Sequence, residues 1–256
     1  MIHTEITERA AMAVTRYGHF LDIARNQVFN GLSRDPLSET ARMNAVADAR
    51  AAAGAFLSFE HAVINEDTAD IARMASQQAR SDIGLGPAPI EDRFAEFIFN
   101  AASWAIEKVR AQTARDVATV ADSLREGAQR IDLYMRSGRY SLVAAVAQVT
   151  KDTSTPGFRF TDRLGRNFKP SKHVRDTYRL HLLNTYNEVY MDVIAAHGGE
   201  LVAVTHPDPN YRWYGEVLAI VPGHKDVPLF YDVRDEIFHP GSDATLTRWS
   251  NGSVST

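Results

Sequence analysis

Residues 90–128 read IEDRFAEFIFNAASWAIEKVRAQTARDVATVADSLREGA. Ile90, Phe94, Phe97, Ala101, Trp104 and Ala105 form a wide apolar stripe, and Val109, Val117, Val120 and Leu124 continue it. That spacing lines one side of an α-helix. The run holds no Pro and no Gly before Gly127, so nothing stops a helix earlier. A helix of this length rises roughly 55 Å at 1.5 Å per residue, more than a compact domain of this size spans, and is expected to reach out to a partner.

Working outward toward residue 1, Ile6, Ala10, Ala13, Val14, Tyr17, Leu21, Ala24 and Val28 mark another helix, with Asn30-Gly31 as its expected end. An Ala-rich stretch from Glu39 to about Ile64 has high helix propensity and little bulk, which suits close packing. Asn65-Glu66-Asp67 reads as the capped start of a further helix through Ile83, with Ile71, Met74 and Ala75 on one side. Gly84-Leu85-Gly86-Pro87-Ala88-Pro89 then breaks the pattern.

In the other direction, residues 131–150 read as two short helices joined at Ser137-Gly138, the second carrying Leu142, Val143, Val146 and Val149. Residues 153–157 read as a linker. Phe158-Arg159-Phe160-Thr161 followed by Asp162-Arg163-Leu164-Gly165-Arg166 predicts a small hairpin. Pro170-Ser171 opens a helix to about Ala196, with Val174, Tyr178, His181, Leu182, Thr185, Val189 and Val193 on one face and Gly198-Gly199 as its stop. Residues 200–205 and 212–221 are β-branched and aromatic runs expected as strands, and the tail from Ser250 is expected to be loose. The fold class is therefore α+β: a predominantly α-helical N-terminal half with a long helix, and a small C-terminal α+β domain with a short antiparallel sheet. The expected domains are a helical arm or bundle over 1–130, an α+β domain over 131–249 and a flexible tail over 250–256.

Composition narrows the function. With 256 residues, 45% hydrophobic and 23% charged, the chain has the make-up of a folded globular protein. It contains no Cys, which excludes disulfides, thiolate metal sites and thiol nucleophiles. No uninterrupted apolar run reaches the roughly 18 residues a membrane span needs, and no membrane partner is expected. The opening MIHTEITERAAMAV lacks a secretory pattern, so synthesis in a cytoplasm is expected.

Two clusters have chemical potential. His206, Asp208, His224, Asp226 and His239 are competent zinc or manganese ligands, but they follow no fixed metal-site spacing. They define an alternative reading as a metal-dependent hydrolase. No nucleophile elbow, phosphate-cradling Gly-rich loop or His-Glu-x-x-His helix occurs, so the chain is expected to be neither an enzyme nor the holder of a metal or cofactor. Arg159, Arg163, Arg166, Lys169, Lys172, Arg175 and Arg179 face only Asp162 and Asp176 in the same stretch, within a chain of net charge -4. Interleaved with Phe158, Phe160, Phe168 and Tyr178, these cations are candidates for contact with DNA phosphates or an acidic protein surface. A stand-alone DNA-binding module is a further alternative, and a merely solvated charged face is the bland one.

The order of pieces over residues 138–249 carries a resemblance. They are a helix pair centred on Gly138, the Asp162-Arg163-Leu164-Gly165-Arg166 turn, a Tyr178-containing helix, Gly199-Glu200-Leu201-Val202, Tyr214-Gly215-Glu216-Val217 and Phe238-His239-Pro240. In this order the chain resembles the minor head (minor capsid) proteins of tailed phages, the Mu F-like head morphogenesis family. In that family the His-Pro is followed by Cys and His in what looks like a structural zinc cluster. Here Gly241-Ser242-Asp243-Ala244-Thr245 follows, and a divergent member without that metal is expected. The resemblance implies a virion protein made in the host cytoplasm and present in several copies per particle. It further implies association with the portal or major capsid protein, a role in head assembly or genome packaging and delivery, and possible contact with double-stranded DNA.

Overall fold

A computed structural model describes residues 2–153, 160–161, 167–239, 241–250 and 253–254. The protein is mostly helical, with long helices and a small C-terminal antiparallel sheet accompanied by a short helix. In chain order the elements are α1 (Ile2–Arg34), α2 (Glu39–Asp82), α3 (Ala95–Arg136), α4 (Leu142–Thr153), β1 (Phe160–Thr161), β2 (Asn167–Phe168), α5 (Pro170–Ala196), β3 (Leu201–Thr205), β4 (Val217–Ala219), α6 (Phe230–Ile237), β5 (Thr245–Ser250) and β6 (Ser253–Val254). Two compact units alternate along the chain. The first comprises Met1–Ala10, Ala62–Ala105 and Asp176–Thr256, and the second Ala11–His61 and Ile106–Arg175.

The second unit is a helical assembly built on the stripes legible in the sequence. Tyr17, Phe20, Leu21, Ala24, Val28 and Leu32 of α1 join Ala45, Ala49 and Ala53 of α2, and Val117, Val120, Leu124 and Ile131 of α3. Ala145 and Val149 of α4 and Val174 of α5 complete this core. The rings of Tyr17, Phe20 and Phe56 lie 5.4–5.7 Å apart between centroids, within the range of favourable aromatic contact.

Two glycines that read as helix ends lie inside helices. α1 runs on past Gly31 to Arg34, and α3 runs past Gly127 to Arg136. A Cβ on Gly31 would meet Leu124 at 2.6 Å, and one on Gly127 would meet Leu32 at 2.7 Å. Each helix thus seats a leucine on the other's glycine, and the helix propensity lost there is offset by close packing. The segment Asn65-Glu66-Asp67 starts no helix either, since α2 continues unbroken from Glu39 to Asp82. Asp67 serves tertiary contacts described below. The long helix begins at Ala95, after a single 3-10 turn over Asp92–Phe94, rather than at Ile90.

The first unit is built around α5. Tyr178, His181, Leu182, Thr185, Val189 and Val193 of the expected face are buried, and so are Leu183, Tyr186, Asn187, Tyr190, Met191 and Ile194. A helix covered on nearly all sides is an interior element, not a surface one. It ends as the sequence indicated. Gly198 takes φ +79°, its N–H reaches the carbonyl of Ala195, and the Gly199 N–H reaches that of Ile194. Gly198→Ala is therefore expected to cost about 1–2 kcal/mol, because Ala must adopt the left-handed region. A urea midpoint unchanged from wild type would refute it.

β3 is the central strand, antiparallel to β4 with Val202 opposite Leu218, and to β5 with Val202 opposite Arg248 and Val204 opposite Leu246. Asn187 of α5 holds β5 in place. Its Oδ1 accepts the Leu246 N–H at 3.1 Å, and its Nδ2 donates to the Ala244 carbonyl at 3.5 Å. The strand expected over 212–221 is confined to β4, because residues 211–216 turn back on themselves around Gly215 at φ +79°. The tail expected to be loose instead supplies β6, with Val254 paired to Trp249. β1 and β2 pair antiparallel as expected for the hairpin, whereas its turn at 162–166 and residues 154–159 lie outside the described residues. Among the described residues, no helix is long and apolar enough to cross a membrane.

Candidate functional site

The basic segment separates into parts with different surroundings. Arg159, Arg163 and Arg166 lie outside the described residues. Lys169 precedes α5, and Lys172 and Arg175 follow three residues apart on its first turns, all three exposed. Arg179 is drawn inward. Its guanidinium pairs with the Asp243 carboxylate and donates to the Ser242 carbonyl at 3.0 Å, tying α5 to the segment before β5.

The five candidate metal ligands do not converge. Nδ1 of His206 accepts the Asp208 N–H at 3.0 Å while its ring stacks on Tyr211, 4.1 Å between centroids. His224 Nε2 lies 3.1 Å from Glu200, and Nδ1 of His239 accepts the Gly241 N–H at 3.2 Å. Asp208 caps its own turn through the Asn210 N–H at 2.9 Å. Among the described residues, no group of three or more His, Asp or Glu side chains is arranged to hold a metal ion.

The buried face of α5 carries polar groups that pattern reading does not pair. The Tyr178 hydroxyl donates to one carboxylate oxygen of Asp67, and the Arg9 guanidinium donates to the other. Arg9 also donates to Glu5 at 2.7 Å and approaches Asp70 at 3.5 Å. About three turns further along, the Tyr190 hydroxyl donates to Asp82 at 2.5 Å. His181 is only 3% exposed, and its Nε2 lies 2.8 Å from the Thr68 hydroxyl. Burial lowers its pKa to about 4, so the ring is neutral near pH 7. The only signal for these partners in the sequence was a Tyr or His on a helix's inner face, whose polar tip needs a partner wherever the fold provides one.

Beside this polar row, α3 and α5 enclose a cavity of about 310 Å³. Each helix offers the same spacing to it: Phe97, Asn100, Ala101 and Trp104 from α3, and His181, Asn184, Thr185 and Glu188 from α5. Residues at i, i+3, i+4 and i+7 share one helix face, so both walls are continuous. Arg234 of α6 lies at the edge, its Nη1 2.8 Å from Oε1 of Glu188. That contact is a charge pairing without hydrogen-bond alignment, since Oε1 is buried and accepts no hydrogen bond. Burial raises the Glu188 pKa, the Arg234 charge opposes the rise and Asp192 adds to it. Sequence reading placed Phe97 and Trp104 in a core stripe and His181 and Thr185 on a core face, so the cavity between the two helices went unseen. Comparison with family models, with curated proteins and with solved structures finds no match to the chain.

Proposed function

We propose that the chain is a structural minor head protein of a tailed phage, associated with the portal or inner capsid and acting in head assembly or genome packaging and delivery. The observation that supports the reading is that four of the six pieces of the resemblance lie within one unit, whereas Gly138 lies in the other unit and the 162–166 turn is outside the described residues. Tyr178 lies in α5, Gly199 to Val202 lead into β3, Tyr214 to Val217 lead into β4, and Phe238 follows α6. Each holds a turning point of that unit: Gly199 closes α5, Gly215 turns the chain toward β4, and buried Phe238 lies 5.7 Å from Phe230 between ring centroids. Pieces that share one small frame are more specific as a set than as scattered strings. The exposed Lys169, Lys172 and Arg175 add a basic face suited to DNA or an acidic subunit.

The test is co-expression of the tagged chain with the portal and major capsid proteins encoded alongside it, followed by sedimentation of assembled heads. Recovery of the chain in the head fraction is expected. Heads that assemble normally while the chain stays at the top of the gradient would overturn the reading. Reversing Arg166 and Lys172 together to Glu is expected to reduce incorporation into heads, or to lower the salt slope of DNA binding by about two, while circular dichroism stays unchanged. Unchanged incorporation together with an unchanged salt slope would remove the basic segment from the interface.

A further inference from the structure

The turn that ends α3 brings two guanidinium-bearing side chains to one hollow. Gly138 takes φ +68° and its N–H reaches the Met135 carbonyl at 3.0 Å, while the Ser137 N–H reaches that of Leu133 at 3.1 Å. The Ser137 hydroxyl donates to the Tyr134 carbonyl at 2.6 Å and accepts the Arg139 N–H at 3.4 Å. The Tyr140 ring then lies 4.9 Å from that of Tyr134 between centroids, and Tyr134 itself packs against the core of the second unit. Leu133, Tyr134, Arg136, Ser137, Arg139 and Tyr140 line an open hollow of about 590 Å³ on this turn.

Two properties of this surface point to one kind of occupant. The first is apolar area. Leu133, Met135, Tyr140, Leu142 and Val143 are all exposed, Leu133 at 67% and Val143 at 79%. Scattered exposed apolar side chains are ordinary, whereas five within residues 133–143 make a contact surface. The second property is charge. From Leu133 to Thr150 the sequence contains Arg136 and Arg139 and no Asp or Glu. Arg136 lies 2.8 Å from the Asp132 carboxylate, an exposed pair one turn apart that water screens. Among the described residues, no carboxylate pairs with Arg139. Two guanidinium groups thus meet one carboxylate.

We propose that the α3–α4 turn is a docking surface for a segment of a partner protein that carries an apolar side chain flanked by carboxylates. The apolar side chain packs on Leu133 and Tyr140, and the carboxylates pair with Arg136 and Arg139. A nucleic-acid backbone would meet the two guanidinium groups but would gain nothing from exposed Leu133, Leu142 and Val143. An anionic bilayer is drawn to clusters of about four to eight cations, and a hollow admits a side chain better than a flat plane of headgroups does. The inference does not depend on the head-protein reading, because the binding is measured with no virion protein present.

The test uses the full chain and the peptide acetyl-Glu-Glu-Leu-Phe-Glu-Glu-amide, with one counterpart in which Gln replaces every Glu and another in which Ser-Ser replaces Leu-Phe. Calorimetry gives the affinities. The acidic apolar peptide is expected to bind at least about tenfold more tightly than either counterpart. Leu133→Ser and Arg139→Glu, both at exposed positions, are each expected to weaken it about 3- to 10-fold with the thermal melt unchanged. Arg110→Glu, which reverses an exposed cation elsewhere on α3, is expected to leave the affinity unchanged and so separates this hollow from general attraction between charges. Vesicles of phosphatidylcholine and phosphatidylglycerol and a short DNA duplex serve as the competing occupants. No binding of the acidic peptide, equal affinity for the Gln peptide, or vesicle or duplex binding that outcompetes the peptide and is lost in Arg139→Glu would each overturn the assignment. Should Leu133→Ser alter the melt, Arg139→Glu and the peptide counterparts still decide it.

Discussion

Replacing Asp67 by Ala is expected to destabilise the protein by about 3–5 kcal/mol, the cost of stripping one partner from a buried ion pair. Asp67 is 7% exposed, and its two oxygens serve different donors, the Arg9 guanidinium on one and the Tyr178 hydroxyl on the other. Alanine removes both acceptors at once. Arg9 retains Glu5 at 2.7 Å and has Asp70 at 3.5 Å, so its charge is not stranded and the effect belongs at the lower end of that range. Tyr178→Phe deletes only a neutral donor and should cost about 1 kcal/mol. Asp67→Asn, which keeps an acceptor but loses the charge, should fall between the two. Urea unfolding of the three variants and of the Asp67→Ala/Tyr178→Phe double variant gives the coupling energy directly. Equal losses for Asp67→Ala and Tyr178→Phe would show that the Arg9 pairing contributes nothing.

Asp67 also marks where sequence reading stops. The apolar spacing of α1, α3 and α5 was visible because burial on one helix face repeats every three to four residues along the chain. Gly198-Gly199 was visible because a C-terminal stop is a local matter of φ angles. Gly31 and Gly127 were read by the same local rule and ran against it, because each makes room for a leucine of the other helix, which no short window contains. Asn65-Glu66-Asp67 had the composition of a cap, yet Asp67 is acidic for the sake of Arg9 and Tyr178, 58 and 111 residues away. β5, in the run Thr245-Leu246-Thr247-Arg248-Trp249, was not read as a strand, and neither was α6 as a helix, since its eight residues show only Phe230 and Ile237 as buried positions. The cavity was out of reach for a stronger reason. Its two walls are identical in spacing to ordinary core faces.

Asp116 supplies a large expected dependence on pH. It is fully buried in the second unit, where the Tyr17 hydroxyl donates to Oδ2 and Gln112 Nε2 donates to Oδ1 at 3.1 Å. Burial raises its pKa from 3.8 to about 6, and the Tyr17 and Gln112 hydrogen bonds together with the Arg115 and Arg25 charges only partly oppose the rise. Between those two values the folded chain holds a proton that the unfolded chain has released, so stability must fall as pH rises through this window. The contribution is fully present below pH 3.8 and gone above about pH 6. A shift of about two pK units corresponds to roughly 3 kcal/mol. Asp116→Asn cannot titrate, so its stability relative to wild type should rise by about that amount between pH 4 and pH 7. The absolute offset between the two proteins depends on how Asn satisfies Tyr17 and Gln112, whereas the change in that offset with pH depends only on the charge. Urea unfolding of both proteins at half-unit intervals separates the two. Parallel stability curves across the window would mean that Asp116 is ionised in the fold at no cost, and that its hydrogen bonds with Tyr17 and Gln112 fully replace water.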